Sequence, residues 1–114
     1  MLSAEAEIGT AQPERYVSQF AKHARQAHRL HRGPGGHGGD GPSRPEVREV
    51  SVTGAACTVS FGTGRCTLAA AGQALRLRAE AASEQDLAVI QGLVARDIER
   101  FGHREGLRVR WHPA

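Results

Sequence analysis

From Val47 to Ala81 the chain reads VREVSVTGAACTVSFGTGRCTLAAAGQALRLRAEA, where apolar and polar residues alternate through four short segments punctuated by glycine. A period of two is the pattern of a strand with one buried and one wet face, and gaps this short admit only hairpins. That excludes a helical bundle, and it excludes a parallel sheet, whose crossovers need about a dozen residues or more. Val47, Val50 and Val52 share a face after a phase slip at Arg48-Glu49 that suits a β-bulge. Gly54-Ala55 reads as a turn. Gly62-Thr63 predicts a two-residue loop that pairs Phe61 with Gly64, Val59 with Cys66 and Cys57 with Leu68, its leading glycine suiting a type II′ turn. Leu75, Leu77 and Ala79 then point inward, with Arg76, Arg78 and Glu80 outward.

The flanks supply what covers the apolar face. Ala4, Ala6 and Ile8 alternate with Glu5 and Glu7, as in a further strand. After Pro13, a good first-turn residue, Tyr16, Phe20, His23 and Ala27 fall on one helical face with Val17 and Ala24, ending near residues 28 to 30. Ser83, three residues before Asp86, predicts a helix N-cap, and Leu87, Ile90, Val94, Ile98 and Phe101 form the next stripe. LRVRW, residues 107–111, alternates again and predicts the last strand. The order β-α-β-β-β-β-α-β implies an α+β two-layer sandwich, a mostly antiparallel sheet with two amphipathic helices on one face. A chain of 114 residues is expected to be one domain over 1–114. It is interrupted at about 31–45 by a Gly/Pro/His-rich stretch within HRLHRGPGGHGGDGPSRP, read as a flexible loop. Deletion of residues 33–43 is expected to leave the melting temperature almost unchanged, because few contacts cross such a loop.

The formal charge is +3 and the isoelectric point near 9.5, with Lys22 the single lysine among 15 basic side chains. The cations alternate with acids, as in EVREVS and ARDIERFGHRE, instead of clustering, which argues against an obligate nucleic-acid binder. The opening MLSAEAEIGTAQPE carries acids where an export signal needs a basic start and an apolar core. No apolar run approaches the roughly 18 residues of a membrane span. A cytoplasmic protein is expected, with Cys57 and Cys66 reduced. In the register above they are diagonal neighbours, about 7–8 Å apart and beyond easy reach of a disulfide, and read as small core hydrophobes.

RYVSQFAKH, VSFGTGRCTL, LRLRAEA and IERFGHREGLRVRW, in that order, resemble a prokaryotic family, Domain of Unknown Function 2218, over about residues 3 to 112. Its most specific pieces are Arg15-Tyr16, Lys22-His23, Arg100-Phe101, Arg104-Glu105 and Trp111. The resemblance implies a setting and no mechanism: small proteins, or domains joined to or encoded beside siderophore-interacting flavoproteins of iron uptake. Such a flavoprotein is the partner it implies. It also implies histidines at two places that hold Gln26 and Asp97 here, so a site built on those histidines would be incomplete in this chain. The Gly/Pro/His insertion is longer than the family pattern needs.

Several side chains are candidates for chemistry. His23 lies beside the apolar stripe of the first helix and Asp97 at the edge of that of the second. If the helices pack side by side, the carboxylate would orient the imidazole as an acid/base pair, with Glu105 as another acid; the plainer reading is a structural histidine. His28, His31 and His37 are metal-ligand candidates on the glycine-rich stretch, set against the entropy of ordering six glycines. Arg76, Arg78, Arg108 and Arg110 would form an anion-binding or nucleic-acid-binding patch on the outer sheet face if their two strands are neighbours; the rival reading is a solvated face neutralised by Glu5, Glu7 and Glu80. No cofactor is implied. The readings carried forward are a non-catalytic accessory or binding domain of iron or siderophore metabolism, a small enzyme centred on His23, and an anion or nucleic-acid module.

Overall fold

Alternation in the sequence becomes a continuous ladder in the structure. The computed structural model describes residues 1–32 and 46–114. The expected loop lies outside them from residue 33, together with His37 and the side chains of His28 and His31. The elements are β1 (Leu2–Gly9), α1 (Pro13–Arg32), β2 (Val47–Thr53), β3 (Ala56–Phe61), β4 (Gly64–Ala71), β5 (Ala74–Ala81), α2 (Glu84–Phe101), a 3-10 turn at His103–Glu105, and β6 (His112–Pro113). All strand pairs are antiparallel, in the order β2-β3-β4-β5-β1-β6. The fold is the expected α+β sandwich, with α1 over β2 to β5 and α2 over β1, β4 and β5 on the same face.

The hairpin registers are those the alternation requires. Phe61 pairs with Gly64, Val59 with Cys66 and Cys57 with Leu68. The ladder between β2 and β3 slips between Val47 and Glu49, the position of the expected bulge. The turn at Gly62 differs from the type II′ reading, because the positive φ values of the hairpin turns belong to Gly54 and Gly72, at 60° and 63°. Gly62 instead admits the Arg48 side chain, whose Nε would lie 3.3 Å from any Cβ added there. Close approach, not backbone handedness, is what glycine supplies at that turn.

The core lies between sheet and helices. Val59, Leu68, Leu75, Ile90, Val94 and Ile98 are fully buried, each contributing about 1.5–3 kcal/mol by leaving water. Phe20 and Tyr16 come from α1, and Cys57 and Cys66 fill the sheet side between them and the helices. The start of α2 is capped by Ser83, whose hydroxyl accepts from the Asp86 amide at 3.1 Å.

The C-terminal segment corrects the sequence reading. Residues 107–111 are not a strand; only His112 and Pro113 pair with β1, opposite Glu5 and Ala4. Two backbone donors of the expected strand are already spent: the Leu107 amide donates to Gly102 O at 3.2 Å and the Val109 amide to Glu99 Oε2 at 2.9 Å. Helix α2 and its exit thus hold a segment whose alternation alone would fit a ladder, and Leu107 is buried against Gly102.

Candidate functional site: a cleft where the helix ends meet

The N-terminus of α1 and the C-terminus of α2 come together, so that residues far apart in sequence share one small network. Gly102 closes α2, and the 3-10 turn that follows is held by the Glu105 amide donating to Gly102 O at 3.0 Å. That turn aims the Glu105 carboxylate at α1, where it accepts the hydroxyl of Tyr16. The Thr10 hydroxyl donates to both carboxylate oxygens, at 2.9 and 3.2 Å. Thr10 is itself fixed: its amide donates to Gln73 O at 3.0 Å and its hydroxyl accepts from the Gln12 amide at 3.2 Å. The Tyr16 phenol is held above its ordinary range, by burial first and then by the hydrogen bond and negative charge of Glu105, with Arg15 opposing.

This network floors a cleft of about 610 Å³. Its rim carries Arg15, Arg100, Arg104 and His103, and Phe101 forms a wall. Among the described residues none of the three guanidinium groups is paired with a carboxylate. Arg15 instead donates to the Gln12 side chain at 3.2 Å. Three guanidinium groups without a carboxylate partner around one hollow are suited to a carboxylate or phosphate, while the hydroxyl protons of Thr10 and Tyr16 are spent on Glu105.

His23 and Asp97 are brought together as the spacing predicts. His23 Nε2 stands 3.8 Å from Asp97 Oδ2, and the ring packs edge-on against Phe101 at 5.8 Å. Asp97 is only 4% exposed. The separation is longer than a hydrogen bond, and among the described residues Nε2 has no hydrogen-bond partner.

The arginines of the outer sheet face are not brought together. Their strands are not neighbours, since β1 lies between β5 and β6. Arg108 and Arg110 sit in the irregular segment before β6. Arg76 pairs with Glu7 at 3.2 Å and Arg78 with Glu5 at 2.8 Å, directly across the β1–β5 ladder. Arg65 pairs with Glu80 at 2.7 Å and holds that carboxyl below its ordinary range. The neutralised face, not the four-arginine patch, is what the topology builds.

Cys57 and Cys66 are free and buried. Burial pushes the Cys57 thiol up to about 11 and the Cys66 thiol higher still, so neither serves as a thiolate nucleophile near neutral pH. Among the described residues no group of three or more His, Cys, Asp or Glu side chains is placed to hold a metal ion. His28, His31 and His37 fall outside what is described. No described helix is long and apolar enough to cross a membrane.

The family profile "Uncharacterized protein conserved in bacteria (DUF2218)" matches residues 5–112. The chain belongs to this family. The fold is similar to that in "NMR structure of PA4090 from Pseudomonas aeruginosa", with a TM-score of 0.69 and 25% identity over 100% of this chain and 98% of that one. No curated protein matches. Of the residues that carry the resemblance to DUF2218, Arg15, Tyr16, Arg100, Phe101, Arg104 and Glu105 line the helix-end cleft, whereas Lys22, His23 and Trp111 do not. The sequence reading singled out these pairs without bringing them to one place, and it missed Thr10. The available signal was Glu105 between Gly102 and Gly106, a tight turn that fixes where a carboxylate points.

Proposed function

We propose that this protein is a non-catalytic binding domain whose helix-end cleft takes an anionic group of its ligand. The observation that carries the reading is the set of unpaired guanidinium groups of Arg15, Arg100 and Arg104 around a hollow whose floor is fixed by Tyr16, Glu105 and Thr10. In the iron-uptake setting that the family resemblance implies, the anion is a siderophore carboxylate or catecholate and the partner a siderophore-interacting flavoprotein. Calorimetric titration with citrate, phosphate and a ferric siderophore tests this. Saturable binding is expected, weakened about tenfold by Arg15→Ala or Arg104→Ala and reduced by salt. Equal binding by an Arg15→Ala, Arg100→Ala, Arg104→Ala variant, or no binding of any of the three anions, would overturn it. A second reading, proton transfer by His23 and Asp97, draws on their 3.8 Å approach. It requires that His23→Ala abolish a pH-dependent turnover while leaving anion binding at the cleft intact.

A further inference from the structure

Among the described residues, the edge strand β2 is defended along only half its length. From Val47 to Glu49 it carries the bulge and the charged pair Arg48 and Glu49. From Val50 to Thr53 it is regular, pairs residue by residue with β3, and bears no charge. Edge strands normally carry charge, proline or a bulge that refuses another strand. Here those devices stop where a groove begins. Val52 lies opposite the buried Cys57 and so faces the helix layer, yet it is 45% exposed. Between it and α1 runs a groove of about 590 Å³ whose wall includes Ala21, Arg15, Lys22 and Arg25. Among the described residues none of these three cations has a carboxylate partner.

We propose that the groove between α1 and the second half of β2 docks an extended acidic segment of a partner protein, which adds to β2 as a further strand. Main-chain hydrogen bonds to the edge supply affinity, and alternate side chains supply specificity. One apolar side chain seats against Val52, and carboxylates on the segment face Lys22, Arg25 and Arg15. A nucleic acid fits less well, because none of the residues lining the groove is an aromatic on which a base would stack. A second copy fits less well too, since pairing β2 with β2 brings Lys22 and Arg25 of one molecule toward the same cations of the other. The groove shares Arg15 and Gln19 with the anion cleft, but Lys22, Arg25 and Val52 belong to the groove alone, so variants at those three test the groove without touching the cleft.

The test is an amide NMR titration of the full chain with a nine-residue peptide alternating glutamate and valine, beside a control in which lysine replaces glutamate. The glutamate peptide is expected to bind saturably, with shifts and slowed amide exchange confined to Val50–Thr53 and the 15–25 stretch of α1. The lysine peptide should not bind. Val52→Glu, and separately Lys22→Glu with Arg25→Glu, are expected to weaken binding about tenfold or more. These positions are exposed, so the variants should fold as the parent does. The proposal is overturned by absence of saturable binding, by affinity unchanged in Val52→Glu, by equal binding of a single-stranded oligonucleotide, or by dimerisation through β2 in the free protein.

Discussion

Glu105 is exposed, yet its carboxylate accepts from two buried side chains, Thr10 and Tyr16. Glu105→Ala leaves both hydroxyls without that acceptor and is expected to cost about 1–3 kcal/mol, read as a fall of several degrees in melting temperature. Glu105→Gln keeps an acceptor oxygen and should lose less. The same residues shape the alkaline limb of stability. The Tyr16 phenol is raised in the folded state, which favours its neutral form, so its contribution is whole below the ordinary value of 10.0 and is lost as pH climbs through the folded value. The buried Cys57 thiol, raised from 9.0 to about 11, acts in the same direction but starts earlier. Denaturant melts across alkaline pH should therefore show stability declining from about pH 9, and Tyr16→Phe should remove only the later part of the decline. A decline unchanged by Tyr16→Phe would place the effect elsewhere. Glu105 was legible in the sequence as a candidate acid, but Thr10 was not. A threonine between a strand and a proline reads as a connector, and its partner lies 95 residues away.

At the scale of elements, the hairpins were legible because each strand pairs with its sequence neighbour, so alternation and turn length fix the register together. Turn type was less legible: a leading glycine supplies a positive φ at Gly54 and Gly72 and a close approach at Gly62, and composition does not separate the two uses. The last strand was misplaced because alternation records which face is apolar and not which donors are already taken by Gly102 and Glu99. These distinctions predict an order of substitution costs. A Cβ at Gly64 would lie 2.1 Å from Glu80 O and 2.8 Å from Ile90 Cδ1, a clash with the backbone of β5 and with the α2 side of the core. Gly64→Ala should therefore cost about 3 kcal/mol or more. At Gly72 nothing lies within 4 Å, but φ is +63, so Gly72→Ala carries only the left-handed penalty of about 1–2 kcal/mol. Removing the cap by Ser83→Ala should cost about 1 kcal/mol. Chemical denaturation of the three variants checks the ranking, and a Gly64→Ala protein as stable as Ser83→Ala would contradict the packing of β4 beneath α2.

Over the whole molecule, the decisive long-range fact is that β1 enters between β5 and β6. Periodicity places arginines on one face of a strand but says nothing about which strand lies beside it, so the outer-face patch was not decidable from the sequence. With β1 in place, Arg76 and Arg78 face Glu7 and Glu5, and Arg65 faces Glu80, each pair across adjacent strands. Exposed pairs of this kind add little stability, but they cancel the field of the sheet. The helix side is different: Arg15, Lys22, Arg25, Arg100 and Arg104 are exposed there and, among the described residues, have no carboxylate partners. Among the described residues, the arginines of β4 and β5 are thus paired with carboxylates, whereas these helix-side cations remain open to an anion. Elution from a heparin column reads this asymmetry directly, because the salt needed for release tracks the number of cations engaged. Arg15→Ala with Arg104→Ala should elute at distinctly lower salt than the parent. Arg76→Ala with Arg78→Ala removes the same formal charge but frees Glu5 and Glu7 on the sheet face, far from the helix-side cations, and should elute close to the parent. If the sheet-face variant shows the larger drop, the anion-binding surface is the sheet and the cleft between the helix ends is not the site.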